Sequence, residues 1–174
     1  MKRTKTEKVA LYGILGALAL ALSAAEGFLV PALPFLPPGA KPGLSNIVTM
    51  FAASCVGIPA TIYVVLIKAG FAFITRGATA FLMSLVGGIL SAVTMIFMNR
   101  FRGRSISLVG MGVCAASMHN IGQLSVSFIM TGTAALIGYA PFLILFGVIT
   151  GFVTGCVLKA VIPAVEKISR KKIN

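Results

Sequence analysis

The side chains able to bind or move charge are few, and they fall at similar depths of the chain's apolar segments. The sole histidine, His119, is followed by Asn120 and Gln123 inside one such segment. His119 and Gln123 are four residues apart, so a helix puts them on one face. Lys68 interrupts an earlier apolar run, Arg76 closes it, and Ser45 and Asn46 open the run before that. Glu26 sits near the end of the first run. The only acids are Glu7, Glu26 and Glu166; aspartate is absent. Lys41, Lys68 and Arg76 set against Glu26 leave positive charge in excess, which suits an anion or a ring system bearing carbonyl groups. His119 adds a donor, an acceptor or a titratable group. Ionisable groups within apolar segments are costly and mark functional sites by default. The expected substrate-binding set is therefore Asn46, Lys68, Arg76, His119, Asn120 and Gln123, with Glu26. Plainer roles stay open for each. Lys68 can pair with Glu26 as a structural bridge, Arg76 can snorkel to headgroups, His119 can join two helices, and Asn46 can cap its helix.

Other chemistries are excluded by what is missing. No GxxxxGK[ST] phosphate loop occurs, so the chain is not its own ATPase. No HExxH motif and no cysteine–histidine spacing occurs, and no metal or cofactor is expected. Cys55, Cys114 and Cys156 lie far apart, each in an apolar run; they read as small buried hydrophobes. Gly110-Met111-Gly112 echoes a dinucleotide fingerprint but lies within an apolar helix with no strand before it.

The elements that position these residues are membrane helices. Of the 174 residues, 58% are hydrophobic and 10% charged, whereas soluble domains carry about a quarter charged residues. The net charge of +12 does not point to nucleic acid, because the basic residues form short clusters between apolar runs and fit anionic lipid headgroups. A bilayer core about 30 Å thick takes about 20 helical residues. The expected fold is an all-α, six-transmembrane-helix bundle, one membrane domain over residues 1–174. Its spans fall near 9–30, 44–56, 59–74, 79–98, 105–130 and 134–162. The first resembles a signal peptide, but its apolar stretch of about 22 residues exceeds the roughly 7–15 of a secretory core, and it reads as a retained helix. The loop PALPFLPPGAKPG, residues 31–43, resists helix through its prolines, and Gly57-Ile58-Pro59 splits the next run into two short spans.

With the N-terminus inside, eleven of the fifteen Lys and Arg residues fall on the inner side, and only Lys41 and Arg76 lie in outer segments. The positive-inside rule then puts both termini in the cytoplasm. At 1.5 Å per residue, His119 lies about 21 Å and Gln123 about 27 Å along the fifth span from its inner end. The polar groups thus converge on the outer half, an outward-facing pocket beneath the proline-rich loop. Two rows of small residues recur every four positions: Gly13, Ala17, Ala21 and Ala25, then Gly147, Gly151 and Gly155. Such rows let helices approach closely, within the bundle or against another membrane protein. The two three-span halves carry no visible repeat of the kind that marks inverted-repeat transporters.

The runs PPGAKPGLSNIVTMF (Pro37–Phe51), LIKAG (Leu66–Gly70), TRG (Thr75–Gly77) and SMHNIGQL (Ser117–Leu124) resemble the bacterial Gx transporter family. That family is also labelled heptaprenyl diphosphate synthase component I. More broadly the chain is similar to the S components of energy-coupling factor transporters. This resemblance implies a membrane protein of the bacterial plasma membrane that captures a small solute, with a coupling membrane protein and two ATPase subunits as partners. It implies docking through the first helix at Gly13, Ala17 and Ala21, where Gly13 departs from the usual Ala. The synthase label does not imply catalysis by this chain. Prenyl transfer holds Mg²⁺ and diphosphate on aspartate-rich motifs, and the chain has no aspartate. The alternative it leaves is a non-catalytic membrane subunit for heptaprenyl diphosphate synthase, in quinone or isoprenoid metabolism.

Overall fold

The computed structural model describes residues 4–29, 43–102 and 106–171, and among these every regular element is helical. The elements are α1 (Lys5–Leu29), α2 (Asn46–Phe51) continuing as a π-helical turn (Ala52–Val56), α3 (Ile58–Arg76), α4 (Ala78–Asn99) and α5 (Leu108–Thr131). A 3-10 turn (Ala134–Tyr139) then leads into α6 (Ala140–Lys171). The proline-rich loop, Lys41 and the Arg104–Ser105 end of the basic loop lie outside the described residues.

Local sequence sets the ends. Thr4 and Glu7 open α1 as a capping box: the Thr4 amide donates to Glu7 Oε2 at 2.9 Å and the Glu7 amide to Thr4 Oγ1 at 3.2 Å. The Ser107 hydroxyl accepts from the Gly110 amide at 3.1 Å and starts α5, two residues after the expected Ser105. Gly77, at φ +85°, is the whole connection between α3 and α4. Arg76 is accordingly the last residue of α3 rather than part of a loop. The last helix also runs further than expected, through Pro163 to Lys171.

Four helical stretches are long and apolar enough to cross a membrane: Lys5–Leu29, Ile58–Arg76, Ala78–Asn99 and Ala135–Ala164. The stretch Asn46–Val56 is apolar but shorter, about 16 Å at 1.5 Å per residue. It lies among the others, touching α1, α3, α4 and α6. Helix α5 is long enough to cross but carries more polar residues, and its His119, Asn120, Gln123 and Ser127 are all buried.

The bundle is apolar on its outside as well as in its core, where Leu15, Met50, Val64, Met83, Met95 and Met111 are buried. Large apolar side chains such as Phe28, Ile74, Ile129 and Phe142 face outward, while Ser23, Glu26, Asn46, Thr49, Lys68, Ser91, His119 and Gln123 are buried. That distribution suits lipid, where the polar groups must be satisfied inside the protein. The three cysteines depart from expectation: all are exposed on the outside of the bundle.

Small residues hold the bundle's second half together. A Cβ placed on Gly151 would come within 2.5 Å of Val113 Cα, and one on Gly155 within 2.4 Å of Val109 Cα. The Gly147–Gly151–Gly155 row is therefore the seam between α6 and α5. The α1 row behaves oppositely. Leu15, Gly16, Ala19, Ser23 and Glu26 face inward, and Gly13, Ala17 and Ala21 are exposed.

Candidate functional site

Five helices bring polar side chains to one end of the bundle. Glu26, in the last turn of α1, is 1% exposed. Its carboxylate accepts from the Ser45 amide at Oε1 and from the Ser45 hydroxyl at Oε2, both at 3.1 Å. The end of α1 is thus tied to the start of α2 by two charge-assisted bonds. The next residue, Asn46, is the first of α2, and its Oδ1 accepts from Lys68 Nζ of α3 at 2.7 Å. Lys68 is 5% exposed. Arg76, two turns further along α3, lies within Coulombic reach of Glu26. From α5, Gln123 Nε2 lies 2.8 Å from His119 Nε2. With the amide donating, the neutral ring carries its proton on Nδ1; exchanging the amide oxygen and nitrogen gives the other tautomer.

These groups surround a small cavity lined by Ser23, Glu26, Ser45, Lys68, Arg76, Ser84, His119 and Gln123. About 10 Å³ is open to the centre of a water molecule, which is room for about one water. Among the described residues the polar groups are gathered closely around this small space.

Glycines bring the backbone close enough for this. A Cβ on Gly87 of α4 would sit 2.8 Å from the His119 carbonyl oxygen and 3.0 Å from His119 Nδ1. One on Gly122 would sit 2.8 Å from Gly87 Cα, so α4 and α5 touch where His119 enters the cluster. Gly43, at φ +89°, lies against Asn46, with a Cβ there 2.9 Å from Asn46 Nδ2.

Of the seven expected residues, Glu26, Lys68, Arg76, His119 and Gln123 line the cavity, and Asn46 joins it through Lys68. Asn120 does not. It turns to α6, where Nδ2 donates to the Leu143 carbonyl at 2.7 Å. Ser23 and Ser84 line the cavity without having been singled out, and Gly43 and Gly87 shape it. Ser23 had a signal, since it lies three residues before Glu26 on the same helix face. Ser84, in the second turn of α4, had none.

The helices and their inward-facing polar end define an all-helical protein of the membrane class. A family model described as heptaprenyl diphosphate synthase component I matches residues 15–161, and the chain belongs to that family. The match spans every residue of the polar cluster. No curated protein matches the chain, and no solved structure does.

Proposed function

We propose that the chain is the solute-binding membrane component of an uptake transporter of the energy-coupling factor kind. It would cross the bacterial plasma membrane six times with both ends in the cytoplasm, α2 and α5 supplying the two further spans. The convergence of Glu26, Asn46, Lys68, Arg76, His119 and Gln123 at one buried end carries this reading. A structural scaffold gains nothing from two cations and one carboxylate in a space for one water. Each buried charge costs several kcal/mol unless something repays it. The Lys and Arg distribution supports placing that end outside. The chain itself would be non-catalytic. ATP hydrolysis would come from two ATPases recruited through a coupling membrane protein, with the exposed row Gly13, Ala17 and Ala21 as the contact. At Gly13 nothing lies within 4 Å of an added Cβ, so that surface is open to a neighbouring helix.

A second reading, an accessory membrane subunit of a prenyl diphosphate synthase, draws on the family description. It is favoured by a wholly apolar groove between α3 and α4, about 390 Å³, lined by Ile62, Val65, Leu85 and Ile89 among others. Such a groove suits an isoprenoid chain.

The test is to purify the protein in mild detergent from its native membrane and identify the small molecules it releases on denaturation. The proposal expects a polar solute that is lost from Lys68→Ala and His119→Ala. Retention of the same solute by both folded variants would sink it, and a prenyl chain as the released molecule would favour the second reading.

A further inference from the structure

We propose that the groove between α3 and α4 is a site for one anionic phospholipid, with an acyl chain laid along the groove and the phosphate on Arg100. The site lies away from the polar cluster, and it stands whether or not the solute-binding reading does.

The groove has the form of a chain site. Helices α3 and α4 come together at Gly88, where a Cβ would sit 2.9 Å from Val65 Cγ1. Val65 and Ala92, both buried, form the floor. Ile62, Leu66, Ile89 and Val93 form the walls, and all four are exposed. The groove, about 390 Å³, therefore opens sideways to the surrounding lipid, and a chain can enter without any helix moving. From Leu85 to Ile96 its α4 wall is about 16 Å long at 1.5 Å per residue. That is about half of a hydrocarbon core about 30 Å thick, the depth of one leaflet.

Positive charge stands at one mouth of the groove. Ile58, the first residue of α3, and Ile96, in the last turn of α4, both line it. Ile58 lies about 27 Å along α3 from Arg76, which sets this mouth near the membrane face opposite the polar cluster. Arg100 follows Ile96 by one turn and keeps helical backbone angles, φ −65° and ψ −26°. At about 100° per residue, Arg100 falls within the arc of α4 that carries Leu85, Ile89, Val93 and Ile96. Its side chain is exposed, and a guanidinium pairs with phosphate through two parallel hydrogen bonds. The positive end of the α3 dipole lies at the same mouth. A zwitterionic phosphocholine head would bring a cation of its own to that mouth. A heptaprenyl diphosphate carries a chain longer than the groove.

The experiment is native mass spectrometry of the full chain, stripped of lipid in mild detergent and titrated with phosphatidylglycerol or phosphatidylcholine of the same acyl chains. The expected result is one phosphatidylglycerol bound ahead of any further lipid, about fivefold or more tighter than phosphatidylcholine, the scale of one basic residue at a lipid surface. Arg100→Gln should remove that preference. Val93→Trp, which fills the groove from its lipid-facing wall, should weaken both lipids by about tenfold. Both substitutions are at exposed positions, where the fold tolerates change. Lys8→Gln on exposed α1 and Leu145→Trp on the exposed face of α6 should change neither lipid. Equal binding of the two lipids to wild type would overturn the proposal. So would a preference that survives Arg100→Gln, no loss with Val93→Trp, or equal losses from Lys8→Gln and Leu145→Trp, which would mean diffuse attraction to the whole surface. Farnesyl diphosphate displacing phosphatidylglycerol at a lower concentration than phosphatidylglycerol itself needs would also overturn it, in favour of a prenyl chain in this groove. None of these outcomes bears on the polar cluster, which is tested by the solute released from the Lys68 and His119 variants.

Discussion

At the scale of single residues, the cluster divides into side chains that hold the fold and side chains that face the cavity. Glu26 does both. Replacing it with Gln leaves one acceptor oxygen for two Ser45 donors and removes the carboxylate set against Lys68 and Arg76. The expected outcome is a loss of about 2–4 kcal/mol, read by denaturant unfolding in detergent. Asn120→Leu is the contrasting case. It removes one bond to Leu143 and should cost about 1 kcal/mol while leaving ligand affinity unchanged, because the side chain points away from the cavity. A large affinity loss in a stable Asn120→Leu protein would put Asn120 back in the site. The sequence made the His119–Gln123 face legible through their spacing of four. The same geometry warns against Asn120, since adjacent residues on a helix point about 100° apart. The cysteines were read wrongly for a different reason. An apolar run in a membrane helix has two apolar surroundings, protein core and lipid, and composition does not tell which one a given residue faces.

At the scale of elements, the two small-residue rows have opposite surroundings, and this separates their substitutions. Gly151→Leu would drive a side chain into Gly112 and Val113, so it should push α6 off α5 and leave little folded protein by size-exclusion chromatography. At Gly13 an added Cβ meets nothing within 4 Å and the residue is exposed, so Gly13→Leu should leave Tm within about 1 °C, the small change expected of a surface substitution. The periodicity of both rows was plain in the sequence, but their surroundings were not, because a row at spacing four says only that something packs closely. Gly57 and Pro59 did mark the break between α2 and α3, since glycine suits a helix end and proline a first turn. The π-helical turn at the end of α2 has no distinct residue signature, and at Gly77 the glycine was visible but not that it alone joins α3 to α4. The proline-rich loop and Lys41, which the sequence placed over the site, lie outside the described residues.

At the scale of the whole molecule, the account depends on orientation and on partners. With the native cysteines replaced, Thr133→Cys should react with a membrane-impermeant maleimide on intact cells. Arg100→Cys should react only after the membrane is opened. The reverse pattern would place the polar end inside and remove uptake from the account. Composition made the membrane class legible, because it follows from the solvation of single residues, while the charge clusters supply sidedness as the expectation that this labelling tests. The partner was not legible in the same way, since the exposed face of α1 records that a helix can approach it and not which one.

The measurement that tests the central claim most directly is affinity purification of the tagged protein from its native membrane, with mass spectrometry of the proteins that accompany it. Wild type should be run beside Ala17→Leu, whose bulk lies on the exposed face of α1. The account predicts a coupling membrane protein and two ATPase subunits with the wild-type chain, and their loss from a folded Ala17→Leu protein. Recovery of a prenyl diphosphate synthase subunit in their place, under conditions mild enough to keep membrane complexes whole, would contradict it.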